Sequence, residues 1–391
     1  MKLVYLMRYW PVFGGGETVT RTLANEMSRR GHDVYVIYLW YRTNNLEVKL
    51  NPKIRSIKIE NISNIHDGGL KKSEYAVLQR RLMEKLEDIN PDIIINQWLP
   101  TKIVAHAIKK LPAKIIKCHH GVIKYVPTIK TLKQKFFYGI FGDKAGWIRV
   151  YHELKDDYIY SNVWVLLSQA SFRDAKYLFP WADDKRLAVI PNPLSYDIGD
   201  NHFDMNLKKK EVIFVGRVIK LKRVSYLLDA WKIIEDNVPD WCFRIIGDGD
   251  NLEHDKKYAE EIGVKHVIFE GYKDAKDYMK NASILLVASN QEGFGMVIIE
   301  AQYFGCVPIV VASYPTIYDL VDNGVNGYLV ENNNVKKYAE TLYSLIQDDE
   351  KRNKMAQDAI ANSKKFMVSN ICNLWENLFK SLDTRREEFY G

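Results

Sequence analysis

Residues 2–39 read KLVYLMRYWPVFGGGETVTRTLANEMSRRGHDVYVIYL. The apolar run over residues 2–7 predicts a buried strand. Residues 17–30 repeat apolar side chains at every fourth position, which predicts an amphipathic helix, and Gly31 marks its end. Residues 34–39 predict a second strand. A strand, a glycine loop, a helix and a strand in this order form a βαβ unit, and such units build parallel sheets.

The same alternation continues along the chain and restarts after a polar segment. Before that segment, strands are predicted over 93–95, 115–118, 163–168 and 188–190, with helices over 78–89 and 103–110. Residues 194–210 resemble a linker, because Gly, Asp and Asn precede three consecutive lysines. After it, strands are predicted over 212–215, 243–246, 267–269, 284–287 and 307–311, with a helix over 224–234. The restart predicts two doubly wound α/β domains that face each other across a cleft, where parallel sheets bind ligands.

Composition excludes several classes of protein. A chain of 391 residues suits two or three domains, and 47% hydrophobic residues exclude disorder as the main state. No uninterrupted apolar run of membrane-spanning length occurs, and the run over residues 3–7 is too short for the core of a signal peptide. The 4 cysteines are scattered singly and match neither a disulfide framework nor a zinc-binding spacing. A cytoplasmic location is therefore expected.

The net charge of +7 is unevenly distributed along the chain. Residues 1–200 hold 31 Lys and Arg against 20 Asp and Glu, whereas the remainder holds 25 against 29. The basic first half is expected to meet an anionic partner. A phosphorylated substrate, an acidic membrane surface and nucleic acid all fit this charge, but no recognised nucleic-acid-binding motif is present, so a nucleic-acid partner is not expected.

The most informative chemistry lies in residues 289–301, SNQEGFGMVIIEA. Glu292 falls in a loop after a predicted strand, and Glu300 falls about a turn and a half into a helix that begins near Gly295. Gly293 and Gly295 allow a ligand to approach the first backbone amides of that helix, which is a natural phosphate site. Carboxylates accept hydrogen bonds from the vicinal hydroxyls of a ribose or a hexose. For either glutamate alone, a solvated or a capping role is the simpler explanation.

The spacing of Glu292 and Glu300 around Gly-Phe-Gly resembles the E-x7-E motif of the retaining GT-B glycosyltransferases, in particular family 4. Other segments agree with that family in order and spacing: Gly14-Gly15-Gly16-Glu17, His120-Gly121, Ile190-Pro191-Asn192, Gly216-Arg217 with Lys222, Ile246-Gly247-Asp248-Gly249, Phe269-Glu270-Gly271, Gly305 with Pro308, and Asp322-Asn323-Gly324 with Gly327. The resemblance is strong over about residues 186–332 and looser over the first half of the chain.

The resemblance implies the GT-B fold, in which two Rossmann-like domains face each other across a cleft. The first domain, residues 1–193, would bind the acceptor. The second, residues 194–369, would bind a nucleotide sugar. A C-terminal helix over about residues 370–391 would pack back on the first domain.

The resemblance also implies an activity, transfer of a hexose with retention of its anomeric configuration. The expected donor is a nucleotide sugar carried by uridine diphosphate. The expected acceptor is a sugar hydroxyl of a lipid-linked or oligosaccharide acceptor in bacterial surface polysaccharide synthesis, as in capsule, O-antigen or lipopolysaccharide core. A nucleotide-sugar epimerase of similar fold and an inactive sugar-nucleotide-binding protein are the alternatives.

Several residues acquire expected roles from the resemblance. Arg217 and Lys222 would form a clamp that stabilises the negative charge of the leaving diphosphate. Glu292 and His120 would act on the donor sugar. The expected donor-binding residues are Gly15, Gly16, Gly216, Tyr272, Gly293, Phe294, Gly295, Met296 and Glu300. No acidic cluster such as Asp-x-Asp follows a predicted strand, so neither a metal nor another cofactor is expected.

Two predicted strand ends of the first half carry polar and aromatic residues. His119 and His120 end one strand. The cleft histidine of the family precedes a glycine, so the resemblance implies that His120 bonds the donor sugar or backbone carbonyls, while His119 points away. Gln97 and Trp98 end another strand. An indole face and an amide suit a sugar acceptor, although a partly buried tryptophan explains Trp98 equally well.

Residues 124–155 combine seven Lys and Arg with two acids and seven aromatic residues. Phe136, Phe137, Ile140 and Phe141 form one helical stripe, flanked by Lys133, Lys135 and Lys144. Such a basic amphipathic segment is typical of a membrane-surface element and predicts a peripheral position on the inner face of the plasma membrane. The alternative is a core-facing stripe with a solvated basic rim.

Overall fold

The computed structural model describes residues 1–11, 14–42, 50–64, 70–123, 151, 154–196 and 208–384. It divides into two units, one formed by Met1–Ser195 with Val368–Gly391 and the other by Tyr196–Met367. No helix in the described ranges is long and apolar enough to span a membrane. The basic segment predicted to contact a membrane lies outside these ranges, apart from residues 151, 154 and 155.

The first unit is built on a parallel sheet of seven strands. They are β1 Lys2–Pro11, β2 Asp33–Arg42, β3 Arg55–Lys58, β4 Ile93–Asn96, β5 Lys114–Cys118, β6 Val163–Leu166 and β7 Leu187–Val189. Their order across the sheet is β3-β2-β1-β4-β5-β6-β7. The central strands are apolar on both faces because helices cover both sides of a doubly wound sheet.

Helices join these strands, and the first three along the chain lie where the sequence predicted them. They are α1 Gly15–Arg29, α2 Tyr75–Ile89, α3 Thr101–Ala107 and α4 Gln169–Leu178. One layer of the core forms where α2 and α3 pack on the sheet, and it buries Val4, Leu6, Leu78, Leu82, Leu86 and Ile94. Helix α1 begins two residues earlier than predicted, since the amide of Gly14 donates to Glu17 Oε2 at 2.9 Å and caps the helix.

The second unit repeats the plan with six parallel strands. They are β8 Lys209–Val215, β9 Cys242–Ile246, β10 Val267–Gly271, β11 Ala282–Val287, β12 Val307–Ala312 and β13 Tyr328–Glu331. Their order is β10-β9-β8-β11-β12-β13. Two expectations are corrected here. Lys209 and Lys210 belong to β8 and not to a linker. The edge strands β3 and β13 were not predicted, because each has only four residues and most of these are not buried.

The described helices of the second unit vary in length from 4 to 15 residues. They are α5 Val224–Ile234, α6 Leu252–Glu261, α7 Lys276–Asn281, α8 Met296–Tyr303, α9 Ile317–Leu320, α10 Val335–Gln347 and α11 Asp349–Ser363. Large side chains fill the core between α5, α10 and the sheet, among them Trp231, Phe243 and Tyr338, each fully buried.

The last helix, α12 Val368–Thr384, belongs to the first unit. It packs on α1, and the Arg30 guanidinium at the end of α1 donates to Asn373 Oδ1 at 2.7 Å and Glu376 Oε2 at 2.8 Å. His32 also bonds Glu376, at 3.1 Å. The first unit is therefore built from two segments of the chain, with the second unit between them in the sequence.

Both sheets have a point where the strand order reverses. In the second unit this point lies between β8 and β11, and in the first unit between β1 and β4. The loops that follow two such strands diverge to opposite faces of the sheet and leave a crevice at its carboxyl edge. The sequence motifs after β8, β11, β1 and β4 all lie at these positions.

Candidate active site

The loops after β8 and β11 are joined directly to each other. The amide of Asn290 donates to the carbonyl of Leu221 at 2.9 Å. The Arg223 guanidinium donates to Asn290 Oδ1 at 2.9 Å and to Asn332 Oδ1 at 2.8 Å. Residues far apart in the sequence are thereby held side by side at the reversal point of the second sheet.

Glycines allow the loop after β9 to pack against the start of the loop after β8. The amide of Gly216 donates to the carbonyl of Ile246 at 3.0 Å. A Cβ atom on Gly247 would lie 1.8 Å from the Gly216 carbonyl oxygen, so no side chain fits there. Gly216 and Gly247 have φ values of +148° and +152°. This close approach holds the backbone just before Arg217, whose side chain is exposed to solvent.

The structure brings Lys222 and Glu292 together as an ion pair between their side chains. The two side chains are only 18% and 17% exposed. Ser289 Oγ donates to the same oxygen, Glu292 Oε1, at 2.7 Å. Sequence reasoning assigned roles to both charged residues but missed their pairing and missed Ser289. The available signal was weak, since Ser289 is merely a polar residue after a buried strand.

Helix α8 begins at this loop with its first amides toward the carboxyl edge of the sheet. Gly295 caps it with φ +96°, and Met296 is its first helical residue. The first amides of a helix have no acceptor within the helix, so they can bind an anion. Phe294 is 4% exposed and its ring packs against Phe366 at 5.9 Å. Its side chain thus anchors the loop, and only its backbone is available to a ligand.

The loop after β12 contacts the loop after β11 that carries Glu292, which we call the Glu292 loop. Ser313 Oγ donates to the carbonyl of Ser289, and Thr316 Oγ1 donates to the carbonyl of Gly293 at 3.3 Å. The Tyr314 hydroxyl lies 3.1 Å from the position of a Cβ atom on Gly295. These three residues carry no motif that would have identified them, because their role depends on which strand lies beside β11.

The remaining predicted donor residues of the second unit lie at two separate positions, within α8 and directly after β10. Glu300 is the fifth residue of α8, as the sequence predicted, and it lies near Tyr196. Burial, and then the Glu300 charge, raise the pKa of the Tyr196 phenol. Tyr272 follows β10 directly after Gly271, which has φ +69°, and is 59% exposed.

The glycine run of the first unit contacts Trp98. A Cβ atom on Gly16 would lie 2.7 Å from Trp98 Cζ2, so the indole ring packs directly on this backbone. Gly15 is exposed, and nothing lies within 4 Å of its Cβ position. The loop after β1 and the turn after β4 therefore meet at the reversal point of the first sheet.

His120 lies between Gln97 and Trp98. Its Nε2 atom forms a hydrogen bond with Gln97 Oε1. The Trp98 ring stacks on the imidazole with centroids 4.9 Å apart and planes 28° apart. Gln97 itself is 1% exposed, so its amide has little surface to offer an acceptor.

The neighbouring His119 has different surroundings. Its ring meets Trp164 edge to face at 5.7 Å, whereas the His120 ring stacks on Trp98. Burial, and then the Lys117 ammonium, lower the pKa of both histidines to about 3. His120 is consequently neutral at physiological pH and can both donate and accept a hydrogen bond.

Among the residues with a described position, no group of three or more His, Cys, Asp or Glu side chains is arranged to hold a metal ion. All 4 cysteines are free, and three of them are buried. Cys118, adjacent to the two histidines, is among the buried ones, and burial raises its pKa to about 12.

Two family profiles match the chain in succession. Glycosyltransferase Family 4 matches residues 13–197, and Glycosyl transferases group 1 matches residues 198–362. The boundary between them falls close to the boundary between the two structural units, at Ser195 and Tyr196.

The chain is also similar to individual curated proteins. The poly(glycerol-phosphate) alpha-glucosyltransferase of Bacillus subtilis is 25% identical over 338 residues, which are 83% of this chain and 46% of that protein. The chain spans about half the length of the first curated relatives that it matches.

Solved structures resemble the whole chain. The lipopolysaccharide outer core galactosyltransferase WaaB in its apo form has a TM-score of 0.72 at 19% identity, covering 97% of this chain and 99% of that one. Anabaena HepE in complex with UDP has a TM-score of 0.71 at 18% identity, covering 97% and 100%.

Proposed function

The chain belongs to the group 1 glycosyl transferases and has their GT-B fold, and from this premise we propose that it transfers a hexose from a nucleotide sugar to a sugar hydroxyl with retention of anomeric configuration. One observation carries the proposal. Arg217, the Lys222–Glu292 pair and the first amides of α8 lie on loops at the reversal point of the second sheet. This arrangement suits a ligand that carries both a diphosphate and sugar hydroxyls.

The diphosphate is the leaving group in this reaction. As the bond between the anomeric carbon and the phosphate oxygen breaks, negative charge grows on that oxygen. Arg217 and Lys222 stabilise this charge, and the α8 amides add a fixed dipole. The acceptor hydroxyl oxygen forms the new bond to the anomeric carbon on the same face. Its proton passes to the leaving phosphate oxygen, so no protein nucleophile is required.

The remaining residues have roles in binding the donor. Glu292 accepts hydrogen bonds from hydroxyls of the transferred sugar. When the donor is bound, the Lys222 ammonium interacts with both the diphosphate and Glu292. Glu300 bonds the ribose hydroxyls, and Tyr272 offers its exposed ring to the base. Gly15, Gly16, Gly216, Gly293 and Gly295 let backbone amides approach the donor, and His120 bonds the donor sugar. Uridine diphosphate is the proposed carrier, supported by the likeness to a structure with UDP bound.

The two glutamates are expected to separate in a binding experiment. Glu300→Gln should weaken the binding of free UDP about tenfold, the scale of one charged hydrogen bond, because the ribose remains in the free nucleotide. Glu292→Gln should leave UDP affinity nearly unchanged and lower transfer, because the sugar is missing from UDP. Titration calorimetry measures both, with the exposed Glu350→Gln on α11 as the matched control. Equal loss of UDP affinity in both variants would show that the roles are misassigned.

Transfer is proposed to need neither a metal ion nor another cofactor. Two side-chain cations and a helix start supply the positive charge that a divalent ion supplies in other transferases. Activity in excess EDTA is expected to equal activity in buffer, measured as release of nucleoside diphosphate. Loss of activity in EDTA, with recovery on adding magnesium or manganese, contradicts a metal-free clamp.

The proposed acceptor is a lipid-linked or oligosaccharide glycan of a bacterial surface polysaccharide. The relatives support this, since one is named for poly(glycerol-phosphate) and one for lipopolysaccharide outer core. Trp98, which is only partly buried, remains a proposed acceptor contact in the first unit. The protein is proposed to work in the cytoplasm at the inner face of the plasma membrane.

Residues 124–155 are proposed to bind anionic lipid through their seven basic side chains. The protein should float with vesicles rich in anionic lipid at low salt and dissociate as salt screens the attraction. Replacing Lys133, Lys135 and Lys144 with Glu should reduce flotation and leave UDP affinity unchanged. If the triple variant floats like the wild type, or nothing floats, this segment is not a membrane surface.

A single assay tests the proposed function against its alternatives. Purified protein is incubated with a panel of sugar nucleotides, with and without glycan acceptors. Acceptor-dependent release of nucleoside diphosphate supports transfer. Conversion of the sugar without nucleotide release indicates an epimerase, and binding without any turnover indicates an inactive sugar-nucleotide-binding protein.

A further inference from the structure

A buried polar network joins the turn after β4, the strand β5 and residue 157. We call it the Gln97 network and define it by five residues: Asn96, Gln97, Thr101, Lys117 and Asp157. The first four are at most 6% exposed. Buried polar groups without partners are costly, and this network is held together by hydrogen bonds and one ion pair.

The first part of the network fixes the shape of the turn. Asn96 Oδ1 accepts from the amide of Leu99 at 2.9 Å, and Asn96 Nδ2 donates to the carbonyl of Leu99 at 2.9 Å. Asn96 Nδ2 also reaches Thr101 Oγ1 at 3.1 Å, whose hydroxyl donates to Asp157 Oδ1 at 2.6 Å. The turn that carries Gln97 and Trp98 therefore has one preferred conformation.

The second part holds Gln97 itself. The Lys117 ammonium donates to the backbone carbonyl of Gln97 at 3.2 Å and lies 3.8 Å from Asp157 Oδ2. The Asp157 carboxylate offsets the charge of Lys117, and the hydrogen bond from Lys117 fixes the position of the Gln97 peptide group. With its backbone held in this way, the amide of Gln97 is directed at the His120 ring.

Two contacts constrain the ring of His120: a hydrogen bond at Nε2 and a stacked indole on one face. Gln97 Oε1 is an acceptor, so the bond from Nε2 requires a proton on Nε2. Trp98 stacks on the ring and also contacts Gly16. Among the described residues, the titratable groups that act on this ring are Lys117, whose charge disfavours a second proton, and His119, which is itself neutral at physiological pH.

We propose that Gln97 is a positioning residue that holds His120 as the Nε2–H tautomer and so presents Nδ1 as a hydrogen-bond acceptor to a hydroxyl of the donor sugar. This inference rests on the proposed function, because the donor sugar is its ligand. It assigns Gln97 to the donor side of the reaction, through His120, while the stacked Trp98 ring also holds the plane of the imidazole.

The tautomer is measurable without any turnover. The protein is labelled with ¹³C,¹⁵N-histidine, and the His120 signals are assigned by comparison with His120→Asn. Protonated and unprotonated ring nitrogens differ widely in ¹⁵N chemical shift, so the spectrum identifies which nitrogen carries the proton. A neutral Nε2–H ring that does not titrate between about pH 5 and 8 is expected. A proton on Nδ1, or titration in that range, overturns the proposal.

Two substitutions of Gln97 test its role in transfer. Gln97→Met keeps the length but removes the acceptor, so the His120 spectrum should show both tautomers and kcat should fall about tenfold, the scale of one hydrogen bond. Donor KM should change little. The exposed Gln357→Met on α11 is the matched control for the loss of an amide. An unchanged tautomer, or kcat equal to that of the control, overturns the proposal.

Gln97→Glu keeps an acceptor oxygen in the same place and adds a negative charge. That charge favours the imidazolium, so the pKa of His120 should rise into the range that can be titrated. Below this new pKa, Nδ1 carries a proton and cannot accept, and kcat should fall. Above it, kcat should recover. If the variant keeps the wild-type melting temperature and its pH profile of kcat matches that of the wild type, the proposal is contradicted.

Failure of this inference and failure of the proposed function are distinguishable. If no sugar nucleotide supports transfer, the proposed function fails, while the histidine spectrum still reports the tautomer. If transfer occurs but His120 has the other tautomer, only the role of Gln97 is overturned.

Discussion

Replacing Arg217 or Lys222 with alanine is expected to lower kcat about a hundredfold or more, the scale of losing one charge that stabilises a transition state. Negative charge develops on the leaving phosphate oxygen. We propose that Arg217 and Lys222, both on the loop after β8, face this oxygen. Lys222 is held in place by Glu292. Its loss therefore removes the cation and leaves a mostly buried carboxylate unpaired, which adds to the effect.

The measurement is steady-state release of nucleoside diphosphate with a saturating acceptor. Lys220→Ala is the matched control, because Lys220 is an exposed lysine on the same loop for which we propose no contact with the diphosphate. The control should keep wild-type turnover, and circular dichroism should show all three variants folded. Wild-type kcat in both Arg217→Ala and Lys222→Ala would remove the clamp from the proposed mechanism.

Gly247→Ala is expected to destabilise the second unit by about 3 kcal/mol or more. The added Cβ atom would lie 1.8 Å from the carbonyl oxygen of Gly216, and φ at this position is +152°, a conformation that L-residues rarely adopt. The contacted atom belongs to the backbone and cannot rotate away. The loop after β9 must therefore move off the backbone that precedes Arg217, so transfer should decline together with stability.

Urea unfolding, followed by circular dichroism, measures the free energy of unfolding. Gly263→Ala is the matched control, since Gly263 has φ +59° but nothing within 4 Å of its Cβ position. It reports the cost of placing an L-residue in the left-handed region without a steric clash, about 1 kcal/mol. If Gly247→Ala costs no more than this control, the packing of the two loops is not what requires glycine.

The predictable part of the fold lies in its buried central strands. Strand β11, Ala282–Val287, is buried along its whole length, and the sequence showed it as a continuous apolar run between polar segments. Helix α5 was predicted with its observed bounds, since its apolar residues recur at helical spacing. The edge strands β3 and β13 lack this signal, because a strand with one free edge and few buried side chains carries no apolar run.

The residues of the candidate site likewise divide into those that a local pattern identified and those that it did not. Glu292 and Glu300 were identified by their spacing within one short segment, and Arg217 and Lys222 by theirs. The bracing residues Ser313, Tyr314 and Thr316 had no such signal. They lie beside the Glu292 loop only because β12 pairs with β11 in the sheet.

The two doubly wound units and the strand ends that carry chemistry could be inferred from the local alternation of apolar and polar residues, and the family could be inferred from the spacing of its motifs. Which side chains meet depends on the order of the strands across each sheet. Lys222 pairs with Glu292 across 70 residues because β8 lies next to β11, and Gln97 reaches His120 because β4 lies next to β5. Strand adjacency is set by how the helices cover both faces of a sheet, and no local pattern along the chain encodes it.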